Sequence, residues 1–223
     1  MSRLEIPCNL VVMKHMMTQL GPMMKNKGAS QSFVVFLLLF GSWSLSAQSV
    51  KRIETDIFTV VYCEPYQQPL KVWYKVQCPM GDESRSGMDF YKVDGVITSD
   101  NNDYKDNVWD KGHIAPAADF NCDRETLKKT FSYLNCALQH EGLNRGPWKE
   151  LERFERDLAK VYFPSSVHVQ VEILFEEEEE WLPTGALVPS GFKKTIKTPE
   201  NEWTFVFPNR DVAGQDWINF RTN

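Results

Sequence analysis

At 223 residues and 42% apolar composition, the chain is long enough to bury one medium-sized core. Its formal net charge is −5, and without residues 1–47, which hold four basic side chains against one acidic, it would be −8. That acidity excludes a protein that coats nucleic acid stoichiometrically, because such a coat takes its affinity from phosphate neutralisation.

In chain order, the first feature is a targeting pattern. Lys25 and Lys27 precede the apolar run Phe33 to Phe40, and small or polar residues lead to Ser46-Ala47-Gln48. A charged region, an apolar core and a cleavage region in that order predict a secretory signal over 23–47, with cleavage after Ala47. The apolar core is short of the ~20 residues that span a bilayer; retention as an anchor is the alternative. Residues 1–22 precede a conventional start at Met23 or Met24 and suggest a misassigned upstream start. The mature domain is then 48–223, exported to a periplasmic or extracellular space. There disulfides are permitted among Cys63, Cys78, Cys122 and Cys136. Sequential pairing, Cys63 with Cys78 and Cys122 with Cys136, is the simplest of three arrangements, and buried free thiols are the other outcome.

Residues 57–63 and 70–76 are rich in β-branched and aromatic side chains around Glu64-Pro65-Tyr66-Gln67-Gln68-Pro69, which predicts a hairpin. From Pro79 to Trp109 the composition predicts long loops with one or two short strands. Asp123 reads as the N-cap of a short helix over 124–131. The spacing of Trp148, Leu151, Phe154, Leu158 and Val161 predicts an amphipathic helix from Pro147 to Lys160. Val167, Val169, Val171 and Leu174-Phe175 predict a strand on which His168 faces solvent; Leu187-Val188 and Trp203 to Phe207 predict two more. The acidic run Glu176 to Glu180 reads as a solvated loop or strand end. The class is α+β.

The density of polar residues between Asp110 and Glu152 is the chemical signal. His113 lies in Asp-Lys-Gly-His-Ile-Ala-Pro, where glycine permits close backbone approach, and an imidazole of ordinary pKa near ~6.5 can act as a general base. Asn144 and Glu152 flank the start of the predicted helix, and helical side chains lean toward that end. Their hard oxygen donors suit Mg²⁺, which keeps several waters and takes few protein ligands. A competing arrangement uses Cys122, Cys136, His140 and His113 to hold a structural zinc, which would make the region a binding module.

Three blocks decide between these. Asp110-Lys111-Gly112-His113-Ile114-Ala115-Pro116, Thr130 to Gln139, and Leu143-Asn144-Arg145-Gly146-Pro147-Trp148 with Leu151-Glu152 together resemble the DNA/RNA non-specific endonuclease family. The asparagine falls 31 residues after the histidine and the glutamate 8 after the asparagine. The resemblance implies a ββα-metal nuclease fold, a central antiparallel sheet with helices packed on it. It also implies a sugar-non-specific hydrolase of DNA and RNA, using Mg²⁺ or alternatively Mn²⁺, and it allows a homodimer. Carried over by residue, it makes His113 the general base, Asn144 the direct metal ligand and Glu152 the holder of water on the metal. Arg85 would stabilise the phosphate, Asn135 would support His113 and substrate, and Lys111 and Arg145 would contact substrate. Lys111 departs from the family's usual arginine, keeping the charge but losing the planar fork. Leu134 and Leu138 replace a common serine and proline. An exported binding protein with this fold and no activity is the remaining alternative.

Overall fold

The computed structural model describes Cys8 and residues 50–163, 167–176 and 180–222. The expected targeting segment and most of the acidic run lie outside them. Among the described residues no helix is long and apolar enough to cross a membrane. Residues 50–223 form one compact unit.

Six strands build its main sheet: β1 (Val50–Glu54), β2 (Phe58–Cys63), β3 (Gln68–Lys75), β6 (His168–Leu174), β7 (Gly191–Lys197) and β8 (Glu202–Pro208). They are antiparallel in the order β1-β2-β3-β6-β7-β8. One face is apolar because alternate residues point the same way: Phe58, Val60 and Tyr62, then Val72 and Tyr74, then Val169, Val171 and Ile173, then Phe205 and Phe207. The expected β2–β3 hairpin is present, and its turn places Gln67 at φ 52°, in the left-handed region. His168 is exposed, as the alternation requires.

A second, two-stranded sheet carries the chemistry. β4 (Trp109–His113) pairs with β5 (Cys136–His140), with His113 opposite Cys136 and Asp110 opposite Gln139. Two side chains join this ribbon to its surroundings: Gln68 Oε1 accepts from Leu138 N–H, and the Asn209 amide bonds Leu138, Pro189 and His140 backbone. The helices are α1 (Arg124–Lys129), capped by the Asp123 side chain on Thr126 N–H, and α2 (Lys149–Val161). A helical turn at Glu141–Leu143 and a π turn at Asn144–Trp148 lead into α2. β4, β5 and α2 thus form a ββα unit beside the large sheet.

Several elements differ from the sequence reading. Leu187 makes only an isolated bridge to Trp181, so the strand expected at Leu187-Val188 is absent as an element. On α2 the apolar stripe does not continue to Val161, which is 77% exposed, and Glu155 is fully buried instead. β7 was not expected, because adjacent Lys193 and Lys194 mask the alternation of Phe192 and Ile196.

The sequential disulfide pairing is also corrected. Cys78 bonds Cys122, Cys136 is a buried free thiol, and Cys63 is disulfide-bonded but not to Cys78. Backbone geometry decides this: Gln77 and Cys78 N–H both bond Asp119 C=O, which brings Cys78 alongside the Asp119–Cys122 segment. The bond spans 44 residues and encloses Arg85 and His113. Closing a loop of that length restricts the unfolded chain by about 4 kcal/mol. The double variant Cys78→Ser/Cys122→Ser should therefore lose up to about that much unfolding free energy in urea; an unchanged midpoint and slope would contradict it.

Candidate active site

His113 ends β4 at the wall of a cavity of about 650 Å³ that is also lined by Arg85, Lys111, Asn144, Arg145 and Glu152. The loop around Arg85, β4, and the π turn with the first turn of α2 that follows it supply these side chains. Asn135 is brought close but does not line the cavity. Its amide is fully buried and spent on backbone: Nδ2 donates to Ala115 C=O (2.8 Å) and Thr130 C=O (2.9 Å), and Oδ1 accepts from Ala115 N–H (2.7 Å). These bonds tie Asn135 to the backbone of the segment that follows His113. Ile114 N–H bonding Asn135 C=O completes this clamp. Gly112 behind the histidine is required sterically, since a Cβ there would lie 2.5 Å from Gln139 Oε1.

The imidazole of His113 packs on Phe90 and against the edge of Phe131, with centroids 4.6 and 4.7 Å away. Its Nε2 is buried without a hydrogen-bond partner. Burial, followed by the nearby Arg85 charge, pushes its pKa down to about 3. The ring is then neutral at physiological pH, the form a base needs. Because this pKa lies below the unfolded value, His113 favours the native state above the unfolded pKa near 6.5, and that contribution is lost as pH falls toward 3. Ring resonances of His113 in the metal-free protein should show no titration between about pH 5 and 8. A midpoint near the ordinary histidine value would contradict this burial.

Asn144 lies in the π turn before α2. Its Nδ2 donates to Asp110 Oδ2 at 2.8 Å, so the amide orientation is set and Oδ1 is turned to the other side. Asp110 also holds Arg145 in a two-pronged contact, 2.9 Å to Nε and 2.6 Å to Nη2, and Arg145 reaches Glu141 at 2.9 Å. The charge of Arg145 is thus largely committed within the protein. Asp110 shares a motif with His113, but its partnership with Asn144, 34 residues away, arises only in the folded chain and is not displayed by the sequence.

Glu152 is in the first turn of α2, where the helix dipole favours an anion. Burial raises its pKa to about 7, with Glu155 adding to the rise and Lys194 and Arg156 opposing it. Among the described residues it has no ion-pair partner. A partly buried carboxylate held this way gains from a cation. Together with the freed amide oxygen of Asn144, it provides hard oxygen donors of the kind Mg²⁺ takes.

Arg85 sits in an exposed loop whose turn contains Gly87 at φ 75°. The loop is tied to the segment before α1 by Glu83 N–H to Asn121 C=O, Asn121 Nδ2 to Gly81 C=O, and the adjacent disulfide. Among the described residues Arg85 has no ion-pair partner, which leaves its guanidinium available at the cavity. Lys111, in contrast, bonds Asp89 (2.7 Å) and Asn101, and its ammonium lies 5.7 and 5.8 Å from the ring centroids of Phe90 and Tyr133. Of the three cations named from sequence, Arg85 is the least committed.

The zinc arrangement is not formed. Cys122 is oxidised, Cys136 lies against the Tyr104 hydroxyl, and His140 Nδ1 accepts from Gly142 N–H. Among the described residues no group of three or more His, Cys, Asp or Glu side chains is assembled for a metal.

With this geometry established, comparison with known proteins gives the family. The DNA/RNA non-specific endonuclease model matches residues 47–223. The chain belongs to that family. It is 35% identical over 85 residues to mitochondrial endonuclease G of Bos taurus, covering 37% of this chain and 28% of that protein. It is 30% identical over 152 residues to the mitochondrial nuclease of Saccharomyces cerevisiae, covering 56% and 46%. A salivary endonuclease of Lutzomyia longipalpis is 33% identical over 110 residues, covering 45% and 26%. The chain thus spans less than half the length of these relatives. A chain in the crystal structure of the EndoG/EndoGI complex superposes with a TM-score of 0.66 at 22% identity, over 88% of both chains, and shows the same α+β fold.

Proposed function

We propose that this family member is a metal-dependent endonuclease that hydrolyses phosphodiester bonds of DNA and RNA with little sequence preference. The observation that carries the reading is the convergence of a neutral, buried imidazole, an uncommitted arginine, an oriented amide oxygen and a cation-seeking carboxylate on one cavity. Asn144 would hold Mg²⁺ directly and Glu152 through its hydration shell, and Mn²⁺ offers similar chemistry. Held there, such an ion would supply Lewis-acid neutralisation of charge developing on the phosphate and the departing 3′-oxygen.

The chain's own residues do the rest. His113 Nε2 would take a proton from the attacking water, with the rings of Phe90 and Phe131 holding the imidazole. Arg85 would receive a non-bridging phosphate oxygen. Binding an anion there would also offset the Arg85 charge, the smaller of the two causes that lower the His113 pKa, burial being the larger. Asp110 would keep the Asn144 amide in its orientation, and the Asn135 clamp would hold the backbone that follows His113. Recognition through phosphate rather than base edges explains the lack of sequence preference.

An exported setting is supported by the 23–47 pattern and by the Cys78–Cys122 disulfide, which suits an oxidising compartment. Relatives named as mitochondrial and as salivary are both among those matched.

End-labelled single- and double-stranded DNA and RNA of mixed sequence test the substrate range. All should be cut by the full chain in Mg²⁺ at positions spread across the sequence; cutting confined to one sequence motif, or to one type of nucleic acid, would overturn it.

A further inference from the structure

β7 turns Phe192, Lys194 and Ile196 into the core, and all three are fully buried. A lysine in the middle of an apolar strand face is rare unless paired. The Lys194 ammonium lies 2.8 Å from Glu155 Oε2, and the other Glu155 oxygen accepts from the Tyr74 hydroxyl at 2.8 Å. Lys194 Nζ also stands 4.6 Å from the centroid of Trp148. Trp148, Glu152 and Glu155 are spaced i, i+4 and i+7, so they lie along one side of the helical segment. Lys194 therefore grips that side both before and after Glu152.

A second pair ties the same helix to the segment that follows the strand of the base. Arg156, next to Glu155, reaches the fully buried Asp119 at 3.0 Å, and Asp119 lies six residues beyond His113. Rotation of α2 would break both pairs at once.

Replacing a buried ion pair by neutral groups of similar volume is often neutral or stabilising, so stability alone does not account for Lys194 and Glu155. We propose that Lys194 is a positioning residue which, through Glu155 and Trp148, fixes the turn of α2 that presents Glu152. The role rests on the metal-dependent hydrolysis proposed above. It requires no chemistry from Lys194 itself, which does not line the cavity.

The test uses the full chain carrying Lys194→Met with Glu155→Gln, so that no charge is stranded and Tyr74 keeps an acceptor. Circular dichroism reports folding, Mn²⁺ electron paramagnetic resonance reports metal binding without catalysis, and DNA cleavage gives kcat and KM. The double variant should fold, keep KM within about twofold, and lose about 10- to 100-fold in kcat or in Mn²⁺ affinity, the range seen when groups supporting a metal site are removed. Wild-type kcat and Mn²⁺ affinity in the folded double variant would overturn the proposal. Should the double variant not fold, Lys194→Leu with Glu155→Gln, which again strands no charge, decides: lowered kcat or Mn²⁺ affinity at unchanged KM supports the role, and wild-type values overturn it. If the unaltered chain binds Mn²⁺ but cuts neither DNA nor RNA, the hydrolytic reading fails, while the Mn²⁺ affinities still judge Lys194.

Discussion

His113→Ala is expected to lower kcat for DNA and RNA cleavage by about 10² to 10⁴, the usual contribution of a positioned general base. The fold should survive, because the imidazole Nε2 makes no internal hydrogen bond and the backbone on its C-terminal side is held by Asn135. KM and metal affinity should change little, since neither Asn144 nor Glu152 depends on the ring. The loss of packing on Phe90 and Phe131 adds a modest fall in stability, which thermal unfolding would register separately. Equal activity in the folded variant would remove His113 from the mechanism.

Asn144→Ala is expected to act through the metal instead. Lewis-acid stabilisation is worth several kcal/mol, or roughly 10² to 10³ in rate at 1.36 kcal/mol per tenfold. The variant should also need more Mg²⁺, so a titration of activity against Mg²⁺ separates it from His113→Ala. Asn144→Asp is not a rescue. It offers an anionic oxygen donor, but it deletes the N–H that bonds Asp110 and sets two carboxylates in contact. A variant with wild-type Mg²⁺ dependence at either substitution would contradict the assignment of Asn144.

The legible parts of this fold were those with strong alternation or a capping signal. β2, β3, β6 and β8 repeat apolar residues at every second position, and Asp123 announces α1 through a bond its side chain makes locally. β4 is short, polar and interrupted by Gly112, so its strand character arises from pairing with β5 rather than from its own pattern. β7 hides behind Lys194, whose burial depends on Glu155, 39 residues earlier in the chain. Residue types at the candidate site were visible in order and spacing. Their states were not: Asn135 is consumed by backbone, Lys111 and Arg145 are paired with Asp89 and Asp110, and Arg85 is left available. Such differences are set by three-dimensional neighbours, as is the pairing of Cys78 with Cys122 rather than with Cys63.

A histidine base and a divalent ion joined in one cavity for phosphodiester hydrolysis are tested most directly on three fresh samples of supercoiled plasmid, given the purified full chain with Mg²⁺, with excess chelator, or with chelator followed by an excess of Mg²⁺. Relaxation and degradation are expected in the first and third samples and intact plasmid in the second; cutting that persists in chelator, or no cutting in Mg²⁺, would contradict this mechanism.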